Sequence, residues 1–433
     1  MTAIKPYPYY KHSGVDWLNN IPAEWKVSKV KELFLFKKIR AKKENPVILS
    51  LTSKGIIIRD ISTNEGQIAE SYYNYHIVNI GDLLLNPMDL VTNAFASVSN
   101  VEGVISPAYF NLQIAYGHSS KFYEYYFKTQ YWNKTFFAHG KGVSHEHRWT
   151  LNAETLINYP IPLPKPSEQT NIVKFLDFEC NKIDILIEKS KKMMALLDKK
   201  RQAVITHYVT KGIKPTSLKT SGIDWLGDIP KHWELKRSKF IFQIKKRIAG
   251  KEGYDVLSIT QKGIKIKDIV SGDGQLSSDY SKYQIVEIGD FAMNHMDLLT
   301  GYVDISKSFG VTSPDYRVFS LIDKNSLSEY FLNILRICYK NKIFYPLGQG
   351  AANFGRWRLP TDNFYNFILP LPPLEEQIQI VEYIKLQIAN IDKLEASLNK
   401  QIELLKERKT SLITAAVTGK IDVRDYNKQQ EAA

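Results

Sequence analysis

The side chains with the most obvious chemical potential are few. His145-Glu146-His147 places two imidazoles around a carboxylate, the residue types that ligate a transition metal. A stretch 208 residues further on resembles its surroundings, but there the three positions are Asn353, Phe354 and Gly355. A metal site that one of two related stretches lacks reads as variation between them, so no metal site is expected. Asn86-Pro87-Met88-Asp89 begins like the Asn/Asp-Pro-Pro-aromatic motif that holds an amine for methyl transfer, yet the second Pro and the aromatic ring are missing. Its counterpart, Asn294-His295-Met296-Asp297, lacks even the first Pro. There is no GxGxxG after a strand and no GxxxxGK[ST] phosphate loop, so neither a dinucleotide nor an ATP site is signalled. No Ser/His/Asp order stands out, and no catalytic residue is assigned.

Basic residues say more. The chain carries a net charge of +13, which favours a polyanionic partner, nucleic acid ahead of an anionic membrane. Residues 168–201 hold eight basic and six acidic side chains and residues 375–409 hold six and seven, together +1, leaving +12 elsewhere. Several basic residues recur at equivalent places: Lys54 with Lys262, Arg59 with Lys267, and Arg148 with Arg356; the group Lys37, Lys38 and Arg40 has a counterpart in Lys245, Lys246 and Arg247. Shared cations suit a shared grip on phosphates. Base reading should instead fall where the stretches differ. Gly140-Lys-Gly-Val-Ser-His-Glu-His-Arg-Trp149 and Gly348-Gln-Gly-Ala-Ala-Asn-Phe-Gly-Arg-Trp357 have common ends and divergent middles. Lys141, Ser144, His145 and His147 in the first, and Gln349 and Asn353 in the second, are therefore the candidates for base-edge contacts.

These residues sit in a duplicated framework. SGVDWLNNIPAEW from Ser13 returns as SGIDWLGDIPKHW from Ser221, with 8 of 13 positions identical. SLTSKGIIIRDI from Ser50 returns as SITQKGIKIKDI from Ser258, with 8 of 12 identical, and IPLPKPSEQ from Ile161 pairs with LPLPPLEEQ from Leu369. All keep an offset of 208; Ser106-Pro107 and Ser313-Pro314 slip to 207. A near-constant offset means one unit copied with almost no insertions. Within each copy, short runs rich in Ile, Val, Tyr and Phe predict strands, with helical stretches such as 121–137 between them, hence a mixed α/β domain. A Pro-rich exit then leads into a long helix. In the first helix Leu176, Ile183, Ser190, Leu197 and Val204 fall seven apart, with Leu186 and Met193 as the alternating second row. In the second, Ile384, Ile391, Leu398, Leu405 and Leu412 do the same. Both read as coiled-coil seams. About 40 residues give roughly 60 Å of helix, more than a small domain covers, so an antiparallel helix pair acting as a spacer is expected.

Composition sets outer bounds. The chain has 433 residues, 44% of them hydrophobic and 24% charged, a globular balance for two domains of about 150 residues. No stretch approaches the roughly 18 apolar residues of a membrane span, and MTAIKPYPYYKHSG, broken by Pro6 and Pro8, is not expected to act as a signal peptide. A cytoplasmic protein is expected, with Cys180 and Cys338 as reduced structural thiols.

The order of parts, SGxxWLxxIPxxW, a variable α/β domain, PLPxxxEQ into a long helix, then the whole again, resembles the specificity subunit of type I restriction–modification enzymes over residues 10–424. Pro162 to Gln169, Pro370 to Gln377, Val209-Thr210 and Ala416 to Gly419 carry the family marks, with Lys165-Pro166-Ser167 departing from the usual Pro-Leu-Glu. The resemblance implies target-recognition domains at 1–166 and 213–374, spacer helices at 167–212 and 375–418, and a tail at 419–433. It implies that each domain reads one half of an asymmetric, interrupted site in double-stranded DNA, while the helices set the unread gap. Two adenine-methyltransferase (modification) subunits would bring S-adenosylmethionine, restriction/translocase subunits would bring ATP and Mg, and this chain would hold no cofactor. A self-sufficient DNA-modifying enzyme and a scaffold for protein or membrane stay open as alternatives.

Overall fold

The structure, a computed structural model, describes residues 5–426 apart from 63–68, 89, 91–94, 143–148, 270–276, 351–356 and 425. The chain divides into two compact units, one of residues 1–190 with 400–433, the other of residues 191–399. Each long helix is thus shared between the two.

In the first unit, β1 (Phe34–Phe36), β2 (Leu49–Thr52), β3 (Gly55–Ile58), β4 (Leu83–Leu85), β5 (Ala96–Val98) and β6 (Phe110–Ile114) precede α1 (Ser120–Trp132) and the long α2 (Pro166–Lys211). β1, β6, β4 and β5 form, in that order, an antiparallel sheet, and β2 and β3 form a hairpin whose turn is Thr52 to Gly55. α1 starts where the Ser119 hydroxyl accepts the Phe122 N–H, an N-cap. Its FYEYYF run packs inward, so Phe122, Tyr123, Tyr126 and Phe127 are fully buried with Trp25. Ile172, Phe175, Leu176 and Cys180 of α2 complete that core together with Ile413, Ala416 and Val417 from the far end of the second long helix.

The second unit repeats the plan with β7 (Phe242–Lys245), β8 (Leu257–Thr260), β9 (Gly263–Ile266), β10 (Phe291–Met293), β11 (Val303–Ile305), β12 (Arg317–Leu321), α3 (Ser328–Lys340) and α4 (Leu374–Val417). Its sheet order is β7, β12, β10, β11, again antiparallel. Strand positions locate the slip to 207: it begins between β10 and β11 and is restored before α3, so the second copy loses one residue and then regains it. The core joins Trp233, Phe242, Phe291, Phe319 and Tyr330 to Val209 of α2 and Ile380, Val381 and Ile384 of α4.

The PLPxxxEQ motif has a mechanical reason. The Gln169 amide is fully buried, its Oε1 accepting the Ser119 N–H at 2.9 Å and its Nε2 donating to the Pro164 carbonyl at 3.0 Å. Gln377 does the same toward Leu327 and Pro372, at 2.8 Å each. One amide therefore clamps the start of a long helix to the start of the domain helix. Both long helices end at a left-handed glycine, Gly212 (φ +75°) and Gly419 (φ +72°). A Cβ there would meet Trp233 at 3.3 Å in the second unit, and Pro22 at 2.3 Å in the first. The opening motif of each unit is thus packed on the end of a helix.

Within each unit the helices run antiparallel. In the first, Asp184 meets Lys409 at 2.7 Å while Leu176 packs in one cluster with Ile413 and Val417. In the second, Arg201 meets Asp392 at 2.7 Å and Glu395 at 2.8 Å, and the Tyr208 and Tyr383 rings lie 4.7 Å apart. The two ion pairs are equivalents at the 208-residue offset, which takes Asp184 to Asp392 and Arg201 to Lys409. Leu176, Ile183, Leu197, Ile384 and Ile391 are buried, and Val204, Leu398, Leu405 and Leu412 half-buried. The second row of α2 needs correction. Leu186 and Met193 are 44% and 50% exposed, and their neighbours Ile187 and Met194 turn inward instead. A heptad step can be completed by i+3 or i+4, and two adjacent apolar pairs left both choices open.

Candidate nucleic-acid interface

The Gly-rich loops are rooted identically in the two units. Lys141 and Thr150 exchange backbone hydrogen bonds of 2.8 and 3.0 Å, as do Gln349 and Arg358. Trp149 Nε1 donates to the Phe137 carbonyl at 2.7 Å, and Trp357 Nε1 to that of Tyr345 at 2.6 Å. A Cβ on Gly140 or Gly348 would strike the indole at 2.4 or 2.3 Å, so the shared Gly and Trp need each other at the root of the loop. Lys141 and Gln349 are exposed at these roots. Ser144, His145, His147, Arg148, Asn353 and Arg356 lie outside the described residues.

Lys54 and Lys262 stand exposed on the turns of the β2–β3 and β8–β9 hairpins, their N–H groups held by Thr52 and Thr260. Arg59 and Lys267 follow these hairpins, are half-buried, and donate their backbone N–H to Ile48 and Val256 at 2.8 and 2.7 Å. β3 packs on the edge strand β5, while Leu151 and Leu90 tie the loop root to the chain leaving β4. Between each hairpin turn, the domain helix and the long helices lies a cleft. In the first unit it measures about 470 Å³, and its lysines Lys121, Lys128 and Lys409 are paired with Glu124 and Asp184 of the same wall; in the second it measures about 490 Å³, and Arg201, Arg336 and Lys340 are likewise paired with carboxylates.

One group of basic residues is corrected. Lys37 is buried, its ammonium 2.5 Å from the buried Asp82, and so does not face a ligand. In the second unit the equivalent Asp290 is paired not with Lys245 but with Arg247, which also binds Glu287. Lys38 and Arg40 are exposed beside His76, whose pKa is lowered by burial first and by these two charges second. The thiols of Cys180 and Cys338 are free and buried, and burial pushes the Cys180 pKa up to about 11, so neither is poised as a nucleophile. Among the described residues no group of three or more His, Cys, Asp or Glu could hold a metal ion, and no helix is long and apolar enough to cross a membrane.

Residues 22–193 and 230–404 match the family model of the type I restriction modification DNA specificity domain. The type I restriction enzyme MjaVIII specificity subunit of Methanocaldococcus jannaschii is 25% identical over 369 residues, covering 81% of this chain and 78% of that protein. A chain from a structure described as the structural basis of complex assembly and conformational transition of the type I R-M system superposes with a TM-score of 0.66 at 12% identity, covering 92% of this chain and 98% of that one. The HsdS subunit from Thermoanaerobacter tengcongensis gives 0.51 at 13% identity with the same coverage. At these identities the two structures are alike in fold.

Proposed function

Because this chain belongs to the family of type I restriction modification DNA specificity domains, we propose that it is the sequence-reading subunit of such a system and performs no catalysis itself. Each unit reads one half of an asymmetric, interrupted DNA site, and the paired helices set the gap between the halves. The observation that carries this reading is the loop that both units root by the same backbone exchange and the same Trp–Gly contact, while the sequence between the roots differs. A common mounting with a changed insert is what two half-sites of different sequence require. The exposed lysines on the hairpin turns supply phosphate contacts. Two adenine-methylating modification subunits dock on this chain and bring S-adenosylmethionine; restriction subunits bring ATP and Mg. The protein works in the cytoplasm, where its DNA is.

The test is a domain exchange. Residues 220–366 are replaced by the matching segment of another family member, and the methylated sequence of cells carrying the complete system is mapped. One half of the sequence should change and the other stay. Both halves changing, or neither, would count against the assignment.

A further inference from the structure

The second unit holds three basic residues that the first unit lacks, and the fold gathers them. His295 stands where the first unit has Pro87, Arg317 where it has Phe110, and Arg358 where it has Thr150. The strand register fixes the middle equivalence, since Phe110 lies opposite Leu85 and Arg317 opposite Met293. Leu359 ties the group together: its N–H donates to the His295 carbonyl at 2.9 Å, and its own carbonyl accepts from Arg317 Nη2 at 2.9 Å. Arg358 is its chain neighbour, at the root of the divergent loop.

Their hydrogen bonding is incomplete. Arg317 is 4% exposed and lies 4.7 Å over the Phe364 ring; its hydrogen bonds go to the neutral Leu359 carbonyl and Thr361 hydroxyl. Its Nη1, and Nδ1 of His295, are buried without a partner. Burial first, then the charges of Arg317 and Arg358, lower the His295 pKa to about 3, so the imidazole is neutral. A buried guanidinium facing only neutral acceptors and an orphaned imidazole nitrogen both work against folding. The first unit fills the same space with Pro and Phe, so packing alone has no need of them.

We propose that His295, Arg317 and Arg358 form an oxyanion subsite peculiar to the second unit, and that its occupant is a phosphate of the DNA backbone. The inference rests on the reading that the chain binds DNA. The exposed Arg358 meets the phosphate first, half-buried His295 follows, and Arg317 supplies the innermost charge. Both orphan nitrogens are covered in the free protein, so binding includes a side-chain shift. In that shift Arg317 exchanges two neutral acceptors and the face of the Phe364 ring for an anion, which takes a stronger, charge-assisted bond. A phosphate contact held by one unit sets that unit's register on its half-site without reading a base.

Binding of the full chain to a fluorescein-labelled random-sequence duplex is measured by anisotropy across a KCl series, for wild type, Arg358→Thr and Arg317→Phe. Each variant should bind about tenfold more weakly, and the slope of log K against log salt should shrink by about 0.9. Arg317→Phe should melt no lower than wild type, and inorganic phosphate should raise the melting temperature of wild type alone. Unchanged affinity and slope in Arg358→Thr, an exposed position that cannot unfold the chain, would overturn the proposal. Phosphate stabilisation through Arg317 with DNA binding unchanged would overturn DNA as the occupant. A wild-type chain without affinity for any duplex would instead overturn the DNA-reading function, while the phosphate-dependent melting shift still reports the subsite.

Discussion

Lys37 and Asp82 show how a single pair decides what a basic residue is for. Asp82 takes the Lys37 ammonium at 2.5 Å and the Asn79 N–H at 2.8 Å, with both charged side chains about 95% buried. Removing one partner leaves the other charge in the interior with nothing to compensate it. Asp82→Ala should therefore cost about 3–5 kcal/mol in urea unfolding, whereas Lys37→Met combined with Asp82→Leu should recover most of the loss. A cost below 1 kcal/mol for the single change would show that the pair is not desolvated. Lys38, one residue on, is exposed instead. Adjacent lysines look alike in a sequence; a buried carboxylate partner holds one inward while the other is exposed.

At the level of the helices, the seam is a matter of register between neighbours. Ile187 is 8% exposed and Leu186 44%. Ile187→Ala should destabilise the chain by about 2–5 kcal/mol, and Leu186→Ala by no more than about 0.5 kcal/mol; equal losses in thermal or chemical melts would restore the other row. The cross-helix pairs Asp184–Lys409 and Arg201–Asp392 have half-exposed carboxylates, so each contributes only about 0.2–1 kcal/mol. Their recurrence at a constant offset points to alignment of the antiparallel helices more than to stability.

For the molecule as a whole, the proposed spacer role has a dimension. Deleting one heptad from each long helix at equivalent places, 187–193 and 395–401, keeps the apolar rows in phase and removes about 10 Å of helix. At 3.4 Å per base pair the unread gap should shorten by about three base pairs, with both half-sites unchanged. Mapping the methylated sequence decides the matter; an unchanged gap refutes the spacer. The structure adds that neither unit's core is closed by its own helix alone, because α4 residues Ile413, Ala416 and Val417 complete the first core and α2 residue Val209 joins the second. Shortening the pair while leaving those ends in place therefore spares both cores.

The sequence by itself determined the duplication, the order of domain and helix within each copy, the row of Leu176, Ile183, Ser190, Leu197 and Val204, and the family. Those features are periodic or repeated, and periodicity is a local property that a chain displays before it folds. It also singled out the loops 140–149 and 348–357, though not why their ends agree: the indole of each Trp lies where a Cβ on the Gly would be, a contact across about nine residues. Tertiary structure decided the rest. Whether Leu186 or Ile187 faces inward depends on the partner helix, whether Lys37 faces inward depends on Asp82, and His295, Arg317 and Arg358 meet only because β10, β12 and the loop root converge on Leu359. Burial and charge pairing are made between residues distant in the chain, so spacing along it does not reveal them.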